Sequence, residues 1–150
     1  MIKERPKRLG LIYSREPVYF VTFCTRDRRP LPSLAHAQTA LETYARRGLN
    51  EFNIAIGRYV VMPDHIHLFV RGDANFSLSN WVAGLKRAIA IAPKIRGKFW
   101  QPTFFDHILR NDESYREKWE YVRLNPVRAG LVKDSQEWPY QGEIVYIDRA

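Results

Sequence analysis

Two of the chain's four histidines, His65 and His67, stand one residue apart inside the run "VVMPDHIHLFV" at 60–70. The run is rich in β-branched and aromatic residues and reads as a strand. Strand side chains alternate between faces, so both imidazoles point one way while Ile66 and Leu68 point the other. Neighbouring imidazoles on one sheet face suit a divalent metal, and taken alone they more often form a packed, hydrogen-bonded pair. A second reactive group lies downstream in "YVRLNPVRAG". On a helix, Tyr121 and Asn125 are about 40° apart and share a face, with Arg128 nearby if the helix continues. Tyr115 falls about 120° from that face and reads as a packing residue. Pro126 disfavours helical geometry at Asn125 and lacks a donor. A restart is therefore expected, with Asn125 as N-cap, Pro126 at the first helical position and Gly130 as the stop.

The surrounding pattern has to place these residues. "VYFVTFCT" (18–25) reads as a strand, and "SLAHAQTALETYARRGL" (33–49) as a helix capped by Ser33. "IAIGRYVVMP" and "HIHLFVRG" read as an antiparallel hairpin joined at Pro63 and Asp64. A second helix follows at 77–94, then an extended aromatic segment at 99–110 in which Pro102 marks an edge or bulge. A third helix at 112–124 carries Tyr121, with acidic residues at its start as the helix dipole prefers. The order β-α-β-β-α-β, then a helix, predicts an α+β ferredoxin-like split βαβ fold. That means a four-stranded antiparallel sheet, two packing helices, and a C-terminal helix carrying the tyrosine. Residues 1–150 read as one domain, with a basic arm at 1–16 and a short tail at 131–150.

With 150 residues and 45% hydrophobic content, the chain has room for one core. Net charge is +8 and the sequence pI is about 9.8, which favours a polyanionic partner. Cys24 stands alone, so neither an intrachain disulfide nor a cysteine-rich zinc site is available. The N-terminal residues carry charge without an apolar segment, and no stretch approaches the ~20 residues of a membrane span. The expectation is a cytoplasmic protein with no membrane partner.

"MPDHIHLFV" followed by "YVRLNPVRAGLV" resembles the REP-associated tyrosine transposases, relatives of the single-tyrosine HUH insertion-sequence transposases. HUH denotes two histidines around a hydrophobic residue, here His65, Ile66 and His67. The likeness runs from "YFVTFCTRDRRP" through "FWQPTFFDHILRN" to "NPVRAGLV" and "WPY". One departure is "WPYQG" at 138–142, which lacks the serine pair common in relatives. The resemblance implies that Tyr121 attacks a phosphodiester of single-stranded or hairpin DNA and forms a 5′-phosphotyrosine. It implies that His65, His67 and Asn125 hold a divalent cation, Mg²⁺ or Mn²⁺. It also leaves open a homodimer, since relatives use the tyrosine helix in cis or exchange it between partners. Arg26, Arg28, Lys86, Arg87 and Arg128 are candidate DNA contacts, and Trp100 is a candidate stacking surface for an unpaired base.

Two rival readings stand beside this one. A non-catalytic RNA- or single-strand-binding module on the same fold has no need for the histidine pair. It would also carry an aromatic platform motif that neither strand shows. A metal-dependent nuclease releasing free ends by water attack would leave no adduct on tyrosine.

Overall fold

The computed structural model describes residues 16–91, 94–95, 97–109 and 112–147; the basic arm, apart from Glu16, lies outside them. Strand β1 (Val18–Cys24) leads through a 3-10 turn (Arg26–Arg28) to helix α1 (Leu34–Glu51). The hairpin β2 (Ala55–Val61) and β3 (His65–Arg71) follows, then α2 (Leu78–Ile91) and β4 (Phe105–Leu109). Helix α3 (Asp112–Val122) gives way to a four-residue α4 (Asn125–Arg128), a 3-10 turn (Ser135–Glu137) and β5 (Gln141–Glu143).

The sheet is antiparallel in the order β4-β1-β3-β2-β5. The expected four strands are present, and a fifth is added from the segment read as a tail. Gln141–Glu143 pairs with Arg58–Val60 at the sheet edge. Tyr140 extends the contact through its carbonyl, which accepts Val61 N–H at 2.8 Å. The extended segment before β4 is also broken. Trp100 bridges Thr25, and pairing resumes only at Phe105 after Pro102, which has no N–H to give.

Alternation along the strands gives the sheet two different faces. Val21, Phe23, Ile66, Leu68 and Val70 pack one face against α1 and α2, meeting Leu41, Trp81, Leu85 and Ile89. Each fully buried Leu or Ile there contributes roughly 1.5–3 kcal/mol. Ser33 caps α1 as its sequence suggests, accepting His36 N–H at 3.2 Å. The opposite face is covered only in part. Val18, Phe20, Phe69, Leu109, Tyr115, Val122 and Trp138 form a second core under α3 and the chain that follows it.

Helix α3 docks through Tyr115, which is 4% exposed. Its ring stacks on Phe69 at 4.3 Å, and its hydroxyl accepts Arg58 N–H at 3.3 Å. The sequence reading of Tyr115 as a packing residue matches this position. Gly57 permits the approach, because a Cβ there would sit 2.8 Å from the Tyr115 hydroxyl and 2.9 Å from Ile147 Cδ1. Neither neighbour is free to move, since both belong to the second core. Gly57→Ala should therefore destabilise the protein by about 1–3 kcal/mol through overpacking. A fall in urea midpoint at unchanged slope measures it, and an unchanged midpoint would mean that α3 docks less tightly than this.

Candidate active site

Strand β3 puts His65, His67 and Phe69 on the partly covered face, as period-two alternation requires. The imidazole centroids lie 4.8 Å apart, edge to face. Phe20 stacks on His67 at 5.6 Å and carries the Lys118 ammonium 5.3 Å from its own centroid.

Three hydrogen bonds fix the state of His67. Asn125 Nδ2 lies 2.8 Å from His67 Nε2, while Arg128 Nη2 donates to Asn125 Oδ1 at 3.2 Å. The guanidinium thus takes the amide oxygen, and the amide nitrogen turns towards the imidazole. Nε2 must then accept, the ring proton sits on Nδ1, and Nδ1 donates to Thr22 Oγ1 at 2.7 Å. The ring is neutral. Burial, then the neighbouring His65, Arg128 and Lys118, lower its pKa to about 3. His65 is held similarly, with Nδ1 2.7 Å from Asp64 Oδ1. Each histidine therefore has Nδ1 fixed by a neighbour, and Nε2 of His67 is held in addition by the Asn125 amide.

Tyr121 is 63% exposed at the end of α3, in contrast to Tyr115. Arg128 ties it to the rest: its guanidinium lies 4.2 Å over the phenol ring and donates to the Tyr121 carbonyl at 2.5 Å. The residues thus form one connected series, His65–His67–Asn125–Arg128–Tyr121. The expected cap at Asn125 is corrected. Leu124 occupies the N-cap of α4 without a side-chain bond, because the Asn125 amide is engaged with His67 and Arg128. Gly130, at φ +75°, closes the segment as expected.

The remaining candidates separate by location. Arg26 and Arg28 occupy the turn beside the Asp64–His65 end of the sheet, where Thr25 N–H donates to the Asp64 carbonyl at 2.9 Å. Arg26 Nε is buried without a hydrogen-bond partner, whereas Arg28 is exposed. Lys86, Arg87 and Trp100 are not brought to the histidine face; they lie with α2 on the other side of the sheet. Lys86 Nζ donates to the carbonyls of Gln101 at 2.9 Å and Thr103 at 3.2 Å. Trp100 packs on Phe23 at 5.2 Å and donates its indole N–H to the Lys86 carbonyl. Both residues hold the 99–104 segment to the helix. Sequence reasoning missed Thr22, and it took Asp64 for a turn residue alone. The alternation of "VYFVTFC" could have placed Thr22 on one face, but only the register puts it opposite His67.

Residues 15–123 match the sequence family described as "Transposase IS200 like". A REP-associated tyrosine transposase of Escherichia coli K12 is 36% identical over 88 residues, 57% of this chain; the match spans 52% of that relative's length. The solved structure of a REP-associated tyrosine transposase bound to a REP hairpin superimposes with a TM-score of 0.73 at 26% identity. That match covers 94% of this chain and 82% of the other. Among the described residues, no helix is long and apolar enough to cross a membrane.

The neutral His67 makes folding sensitive to acid. The unfolded chain binds this proton near pH 6.5 and the native chain only near 3, so stability falls as pH drops through that window. Urea midpoints followed from pH 7 downwards should decline less steeply in His67→Gln than in the parent. Parallel slopes would show that His67 takes up its proton as easily folded as unfolded.

Proposed function

The chain belongs to the IS200-like transposase family, and on that premise we propose that it cuts and rejoins single-stranded DNA through Tyr121. The proposed substrates are hairpin-forming sites of the REP type. The observation that carries this reading is the connected series from His65 to Tyr121, which links an exposed phenol to two fixed imidazoles. The hairpin bound by the solved relative and the net charge of +8 support the substrate class.

In the proposed reaction, the Tyr121 phenolic oxygen gives its proton to solvent and attacks the scissile phosphorus. The bond to the 3′ oxygen breaks and that oxygen takes up a proton from solvent, giving a 5′-phosphotyrosine and a free 3′-hydroxyl. A 3′-hydroxyl later attacks the same phosphorus and expels the tyrosine, so bond types balance and no external energy is needed. Dividing the exchange in this way replaces one difficult step by two easier ones. Arg128 orders Tyr121, lying over its ring and donating to its backbone carbonyl, and puts a positive charge near the phenol. Lys118 adds a second positive charge on the same side of the sheet.

His65 and His67 are the residues that would hold a divalent cation, through Nε2 of each ring. The donor chemistry fits once the Asn125 amide nitrogen gives up His67 Nε2, since both Nδ1 atoms already have partners and His67 is neutral. Among the described residues no third His, Cys, Asp or Glu joins them, so oxygen donors would complete the sphere. Asn125 would be one of these only with its carboxamide turned over, which gives up the Arg128 contact. Imidazole ligands suit Mn²⁺ better than Mg²⁺. When bound, such a cation polarises the phosphate and positions it for in-line displacement.

Incubation with Mn²⁺ and a single-stranded oligonucleotide carrying a hairpin repeat from beside the gene should give an adduct that survives SDS. Tyr121→Phe should abolish it, and Tyr115→Phe should leave most of it. Loss in Tyr115→Phe alone would move the nucleophile, and cleavage to free ends without any adduct would point to water attack. Thr22→Val, which leaves every proposed ligand in place, should weaken Mn²⁺ binding about 10–100-fold by calorimetry. Unchanged binding would release Thr22 from its role in orienting His67.

A further inference from the structure

The edge strand β4 is buried only at its last residue. Its register with β1 sets Phe105 opposite Thr22, His107 opposite Phe20 and Leu109 opposite Val18. Directly paired residues share a face, and Val18, Phe20 and Leu109 all belong to the second core, so Phe105 and His107 project on the histidine side. Thr22 in turn pairs with His67. One cross-strand row therefore reads His67, Thr22, Phe105, and it places Phe105 about 10 Å from His67, two strand spacings away. Phe105 is 58% exposed. Apart from Tyr121, it is the most exposed large apolar side chain placed on this face among the described residues.

The geometry points to Phe105 as a stacking surface for an unpaired base of the strand whose phosphate Tyr121 attacks. This rests on the reading of the site as a single-strand DNA transesterase. The occupant has to be flat, to cover an exposed ring on a sheet face. It also has to be anionic along its length, because Lys118 over Phe20 and Arg128 over Tyr121 set two cations on this same side of the sheet. An unpaired nucleotide strand meets both conditions, with a base on the ring and its phosphates among the cations. Trp100, the more obvious aromatic in the sequence, is committed to Phe23 and Phe99 on the other side. A free β4 edge could also receive a second copy of this chain, and the test separates that occupant from DNA.

The test uses a random-sequence single-stranded DNA pool in which 5-iododeoxyuridine replaces thymidine. Long-wavelength irradiation joins that base to an aromatic side chain stacked on it, and the joined peptide is identified by mass spectrometry. The expected result is attachment at Phe105. Phe105→Ala should bind the pool about tenfold more weakly by fluorescence anisotropy, Phe105→Tyr should bind within about twofold of the parent, and the salt dependence should be unchanged. Because the ring is exposed, the alanine variant should keep the parent's urea midpoint. Attachment confined to other residues, or parent-like affinity in Phe105→Ala, would overturn the assignment while leaving the transesterase reading intact. A dimer in the parent that Phe105→Ala dissolves, with DNA affinity unchanged, would give the surface to a second copy instead. A parent protein indifferent to single strands would overturn the reading of the site together with this one.

Discussion

One contact, 2.8 Å long, decides how this molecule is put together: the Asn125 amide against the His67 imidazole. It spans 58 residues of sequence and joins a four-residue helix to the middle strand of the sheet. Everything chemically interesting is defined relative to it. The amide nitrogen makes Nε2 an acceptor, which forces the ring proton towards Thr22. The amide oxygen faces Arg128, which in turn lies over Tyr121. A neutral imidazole is needed throughout, since a charged one would turn an N–H against the donating amide. Burial and the neighbouring positive charges keep it neutral.

The sheet divides its labour by face. The side under α1 and α2 is close-packed and apolar, and it carries most of what holds the chain folded. The other side is sealed where α3 docks through Tyr115 and Val122, and left accessible where Tyr121, Phe105 and His107 stand. Alternation makes such a division possible in a single strand: β3 sends Ile66, Leu68 and Val70 into one core and presents two histidines on the other side.

Much of this was legible in the sequence, for reasons that can be named. The β2–β3 hairpin announces itself by two β-branched runs around Pro63 and Asp64, and α1 by its serine cap. The shared direction of His65 and His67 follows from strand period alone. Other features depend on distant pairing and leave little local trace. Thr22 matters because register sets it opposite His67. Strand β5 consists of Gln141, Gly142 and Glu143, with neither alternation nor β-branched residues to mark it. Trp100 and Lys86 looked available for a ligand because nothing local records that each holds the other's segment in place. Asn125 looked like a cap because Asn before Pro commonly is one, and its tertiary partners prevailed over that preference.

The return of the chain to β2 after α4 bears on synthesis. Trp138 donates its indole N–H to the Val61 carbonyl across 77 residues, and β5 then closes on the same strand. Contacts of such long range form late, after local helices and hairpins are in place. On a ribosome, the histidine hairpin emerges well before the segment that seats Asn125, Arg128 and Tyr121. A chain halted after the hairpin has both imidazoles but lacks Asn125, Arg128 and Tyr121. The order of translation therefore leaves His67 without its Asn125 partner until 58 further residues have been made.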